Sequence, residues 1–214
     1  MSGLNGLEPI MTDFDYNLHI FRSPQFQNIT SDAIRFFIHT PIYALPPPGQ
    51  FIGAGVYGLY YIGKYGLYVK LSSSSCIQPI YIGKAVPPGW RTARTTESRT
   101  PDLYRRLAEH TRSIQQASNL QIEDFRCRFM ILAQSDLIVP VEAKLIRKYE
   151  PLWNTVIEGF GNHDPGTGRY NQARSEWDVL HPGRPWAERL TGKSPRPERV
   201  LAKIESFLAH LAFP

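Results

Sequence analysis

The sequence predicts an α+β chain: a small antiparallel three-stranded sheet flanked by helices, with an N-terminal arm, loop insertions and a C-terminal extension. Three observations carry that expectation. Apolar residues at short, strand-like spacing flank a polar loop between positions 55 and 84. A third alternating run spans Phe125 to Ile131. Two segments with helix-start signals, after Thr100 and after Pro140, carry their apolar residues three and four apart.

The elements follow in order. Residues 1–50 form the arm, with a helix capped by Ser31 and closed before Pro41. Pro46-Pro47-Pro48-Gly49-Gln50 makes a stiff lead-in to the first strand. In that strand Val56, Tyr60 and Ile62 are apolar at short intervals, as are Ile80 and Ile82 in the second. Lys70-Leu71-Ser72-Ser73-Ser74-Ser75 between them favours a loop, so the two strands pair as a long hairpin and each directs a tyrosine, Tyr57 or Tyr81, at one region. Tyr61-Ile62-Gly63-Lys64 repeats the wording of Tyr81-Ile82-Gly83-Lys84, but it lies too close to Tyr57 for the chain to turn. It belongs to the first strand's exit.

Thr100, Pro101 and Asp102 announce a helix running to about Ala117, with Leu103, Leu107 and Ile114 as its apolar stripe. His110 lies in line with that stripe, and Arg106 stands one turn before it on the same side. The last core helix, Val141 to Glu150, sits between Pro140 and Pro151. Glu142 falls on its apolar face, in phase with Leu145, Ile146 and Tyr149. A carboxylate there costs several kcal/mol unless it is compensated. An ion pair with Arg106 and a hard-cation ligand, Mg²⁺ foremost, both satisfy that demand.

Charge is mildly basic: 24 Lys and Arg against 19 Asp and Glu, a net +5. Seven cations against three anions between Lys84 and Arg112 predict a positive face suited to a polyanion. Arg91 and Arg94 in the loop at 85–100, Arg126 and Arg128 on the third strand, and Arg169, Arg174 and Arg184 in the glycine-rich tail are the expected DNA contacts. His163, Asp164 and His181 sit in glycine-rich turns that explain themselves without a metal. Two cysteines, Cys76 and Cys127, predict buried free thiols, and no apolar run reaches membrane-spanning length, so a soluble cytoplasmic protein is expected.

Gly55-Val56-Tyr57 and Tyr81-Ile82-Gly83 resemble the two strand motifs of the GIY-YIG nuclease superfamily. The order Arg106, His110, Glu142 and Asn154 that follows, with Asn154 twelve residues after Glu142, is similar to the rest of that family's site. The resemblance spans residues 51–156 as catalytic core and extends more loosely into 157–214, a tail similar to the restriction-endonuclease branch.

It implies a catalytic set of Tyr57, Tyr81, Arg106, His110, Glu142 and Asn154, with Lys84 positioning phosphate and one Mg²⁺ per site on Glu142. Arg106 would stabilise the developing charge, and Tyr57 would orient or deprotonate the water with His110 as proton acceptor. The implied activity is type II restriction cleavage of double-stranded DNA at a short, GC-rich palindrome, by a homodimer that assembles before or on DNA. A structure-specific repair nuclease and a non-catalytic DNA-binding protein are the alternatives.

Overall fold

The computed structural model describes residues 15–92 and 99–211. Helix α1 (Pro24–His39) leads into strand β1 (Ile42–Ala44), followed by β2 (Gly55–Tyr61), β3 (Tyr81–Ala85) and helix α2 (Asp102–Gln116). Strand β4 (Phe125–Ile131), helix α3 (Ile138–Tyr149) and the single turn α4 (Leu152–Thr155) complete the core. The tail adds α5 (Glu176–Leu180) and α6 (Pro197–His210).

The architecture is the expected α+β arrangement, with one more strand. The antiparallel sheet has four strands in the order β1-β4-β2-β3. Strand β1 is the addition: three residues whose pairing with Arg126, Cys127 and Arg128 spans a long sequence separation, so no local periodicity marks it. The first helix also starts earlier than expected. Ser23 rather than Ser31 is its cap, the Ser23 hydroxyl accepting from Phe26 N–H at 3.2 Å, with Pro24 at the first helical position.

Strand β2 is buried along its whole length because both faces of the sheet are covered. On one face, Val56, Ile82 and Met130 pack with Ile34 and Phe37 of α1 and with Ile138, Val141 and Leu145 of α3. On the other, Tyr57, Leu59, Phe125 and Cys127 meet Leu103, Leu107 and Ile114 of α2. Trp153, Phe160, Trp177, Val200 and Ile204 join this second cluster, so the tail shares the hydrophobic core of the motif strands.

Lys144 fastens α1 to α3 by bonding Gln27 O, Thr30 Oγ1 and Ser31 Oγ at 2.8–3.2 Å. Cys76 and Cys127 are free and buried. Burial pushes the Cys127 thiol up to about 12, and it donates to Ala44 O. Tyr61 ends β2, with Ile62-Gly63-Lys64 at its exit as expected. No described helix is long and apolar enough to cross a membrane.

Candidate active site

Strands β2 and β3 are paired so that Tyr57 stands opposite Gly83. A side chain at Gly83 would bring its Cβ within 2.3 Å of the Tyr57 hydroxyl and 2.9 Å of the Tyr81 ring. The glycine of the second motif is therefore the floor on which both tyrosines rest. Tyr57 is fully buried and Tyr81 lies in front of it, their ring centroids 6.2 Å apart.

Helix α2 supplies the next two groups. The Tyr57 hydroxyl lies 2.6 Å from His110 Nε2. Burial first, and the neighbouring Tyr81 second, push Tyr57 well above its ordinary range, so it is a phenol at neutral pH. Burial and then the Arg106 charge hold His110 well below 6.5, so it is a neutral imidazole. Two neutral groups thus share one proton between them. His110 is further fixed by stacking on Phe160, centroids 4.5 Å apart and planes 16° apart.

Arg106 does not pair with Glu142. Its Nη1 donates to Glu109 Oε2 at 2.8 Å and to His163 Nε2 at 2.5 Å, and its Nη2 donates to Gly161 O at 3.0 Å. Glu142 instead forms an ion pair with Lys84, which reaches across from β3. The helical phase that placed Glu142 on the apolar face holds, and Lys84 is the cation that compensates it.

Among the described residues, the Asn154 side chain hydrogen-bonds to backbone. Its Oδ1 accepts from Ile82 N–H at 2.7 Å and its Nδ2 donates to Ile82 O at 2.8 Å. It thereby locks the middle of the second motif strand.

Tyr81, Lys84, Arg106, Glu109, Glu142 and His163 converge on one cleft of about 550 Å³, which wraps around edge strand β3 between α2 and α3. The sequence pattern found four of these six. His163 and Glu109 were missed as site members. His163 comes from a glycine-rich turn with no periodicity, and only its residue type drew attention to it.

The arginines expected on DNA separate into groups. Arg169 is exposed, and Arg174 is half-buried and pairs with Glu188 at 3.2 Å. Arg126 is half-buried and bonds Glu123 O and Phe125 O. Arg94 and the Arg91 side chain lie outside the described residues. Two expectations are overturned. Arg128 is buried rather than surface-facing, its Nη1 3.4 Å from Phe37 O and its guanidinium 5.9 Å over the Tyr60 ring. Arg184 is 1% exposed, ion-paired with Asp178 at 2.6 Å and held 4.6 Å from both Trp177 and Trp186. Both satisfy buried backbone carbonyls, a demand that the alternation of a strand or the composition of a loop does not reveal.

No curated protein matches the chain significantly. The profile of the Eco29kI GIY-YIG domain matches residues 49–208, which takes in both motif strands, α2, Glu142, Asn154 and the turn bearing His163. The chain belongs to that family of restriction endonucleases, nucleases whose substrate is DNA.

Proposed function

We propose that this chain is a type II restriction endonuclease that hydrolyses both strands of a short, GC-rich DNA palindrome in a Mg²⁺-dependent reaction. The observation that carries the reading is the convergence on one cleft of a carboxylate, an ammonium, a guanidinium and a tyrosine, backed by a buried tyrosine–imidazole pair.

Among the described residues, no three metal-ligating side chains gather. A single carboxylate fits Mg²⁺, which takes one or two from protein and completes its shell with water and phosphate oxygens. Glu142 is the ligand in this reading: Asp102 and Glu109, the other acids of the cleft, pair with arginines of their own helix, whereas Glu142 pairs with Lys84, which reaches it from another element. When bound, Mg²⁺ supplies positive charge at the scissile phosphate and the leaving oxygen.

The chain's own groups do the rest. Lys84 and Arg106 receive the phosphate, and Arg106 offsets the negative charge that grows on it. Tyr81 stands at the cleft wall beside Tyr57, their ring centroids 6.2 Å apart. The attacking water gives its proton to this tyrosine pair, and the Tyr57 proton passes to His110 Nε2. The water oxygen bonds to phosphorus as the bond to the leaving oxygen breaks. Asn154 keeps β3, and so Tyr81 and Lys84, in place.

One such centre cuts one strand, so a double-strand cut at a palindrome requires a homodimer on DNA. Arg169, exposed in the tail, is suited to a guanine edge, and the half-buried Arg174 becomes so on release from Glu188.

Digestion of a plasmid of known sequence with purified protein and Mg²⁺, beside Glu142→Ala, tests the reading. Discrete bands that vanish in the variant are expected. Nicking confined to branched substrates would replace it with a repair nuclease, and tight binding without cleavage would replace it with a DNA-binding protein.

A further inference from the structure

A guanidinium offers five N–H donors, and in Arg106 three are already committed: two on Nη1 to Glu109 and His163, one on Nη2 to Gly161 O. Only one Nη2 hydrogen and the Nε hydrogen are left for the tyrosine side and the substrate. The side chain is therefore pinned before DNA arrives. Two of its three anchors, Gly161 and His163, lie outside the strand and helix motifs.

Those anchors have a support of their own. Arg184 donates to Gly159 O at 2.9 Å, Phe160 O at 3.1 Å and Asn162 O at 3.3 Å, three carbonyls of the turn that ends at His163. Arg184 is itself fixed by Asp178 and the two tryptophan rings. A Cβ at position 161 would stand 2.9 Å from the Tyr81 hydroxyl and 3.3 Å from Arg106 Nη2, so the turn is fitted against both.

We infer that His163 is a positioning residue for DNA cleavage: together with Gly161 it holds the Arg106 guanidinium in its working orientation, and Arg184 builds the turn that delivers both. The inference rests on the nuclease reading above. His163 is exposed to the cleft, so its replacement leaves the core untouched.

The bond requires neutral His163, because an imidazolium cannot accept from a guanidinium. The groups facing it are Arg106, Glu109 and His110 of α2 and Arg184 from behind, while Lys84 of β3 and Glu142 of α3 stand across the cleft. Asp164 of its own turn is engaged with Gly166 N–H and Tyr170. Burial and the Arg106 charge hold His163 below its ordinary value, which favours the accepting form at neutral pH.

The test uses the full chain with Mg²⁺ and plasmid DNA. His163→Ala lowers kcat about tenfold with KM and metal-free DNA affinity unchanged, the loss expected for one hydrogen bond to a charged group. His163→Gln, whose amide oxygen also accepts, restores most of the rate. It also lacks the loss of activity that the parent shows on acidification, when His163 takes a proton. In the metal-free protein, the His163 imidazole resonance titrates below 6.5 and moves upward in Arg106→Gln. Parent-like kcat in His163→Ala, or a His163 titration indifferent to Arg106→Gln, overturns the inference. A parent chain that cuts no DNA sinks the nuclease reading instead, and the titration then decides the contact alone.

Discussion

Lys84 and Glu142 are ion-paired across the cleft, one from the edge strand and one from the apolar face of α3, with 37% and 14% of their side chains exposed. The carboxylate that would take Mg²⁺ is thus already paired with an ammonium, and metal and lysine would compete for it. Lys84→Met frees Glu142. The Mg²⁺ concentration for half-maximal cleavage should fall by up to about fivefold, in keeping with a partly exposed pair. The maximal rate should fall as well, because the phosphate loses a cation. A metal titration of cleavage measures both, and an unchanged midpoint would show that Glu142 is not the ligand.

The buried Tyr57 hydroxyl pairs with His110 Nε2. Tyr57→Phe leaves His110 Nε2 buried without its partner, at a cost of about 1–3 kcal/mol of stability. Cleavage should drop about 100-fold or more, the usual contribution of a positioned acid or base. Urea denaturation and single-turnover cleavage separate the two effects. A destabilised variant that still cuts at the parent rate would remove Tyr57 from the proton path.

His181 sets a pH dependence of stability. It is fully buried between the Tyr68 hydroxyl, 2.5 Å from Nε2, and Asn119 Oδ1, 2.8 Å from Nδ1. Burial, aided by the Arg184 charge, lowers it to about 3. Between 6.5 and about 3 the unfolded chain binds a proton there that the folded chain refuses, so stability falls with pH by at most about 1.4 kcal/mol per unit. His110, lowered in the same direction, adds a second such contribution. Melting temperatures should decline steadily from pH 7 to pH 4, and His181→Gln should flatten that decline by about one proton's share.

Local order carried much of the site. Arg106 and His110 are one turn apart on α2, Glu142 is in phase with Leu145 and Tyr149, and Asn154 follows the proline that ends α3. The first two placements depend only on the period of a helix, and the resemblance to the family marks Asn154. What escaped depends on partners distant in the chain. Strand β1 exists because Tyr43 pairs with Cys127. Arg184 is buried because the turn at 159–162 offers it carbonyls more than twenty residues away. An arginine suited to a guanine edge and one suited to three backbone oxygens have the same composition around them. Only the fold tells them apart.

Asn154 and the preceding Trp153 have a further effect at the sheet's margin. Trp153 N–H donates to Ile80 O at 2.9 Å, and the Asn154 amide answers both backbone groups of Ile82. Two residues thus act as a miniature fifth strand, covering the rim at Ile80, just before β3, and at Ile82 within it. An exposed rim invites strand addition from another chain. Here Ile80 and Ile82 are already bonded within the chain, so a strand added at that rim would first have to displace Trp153 and Asn154.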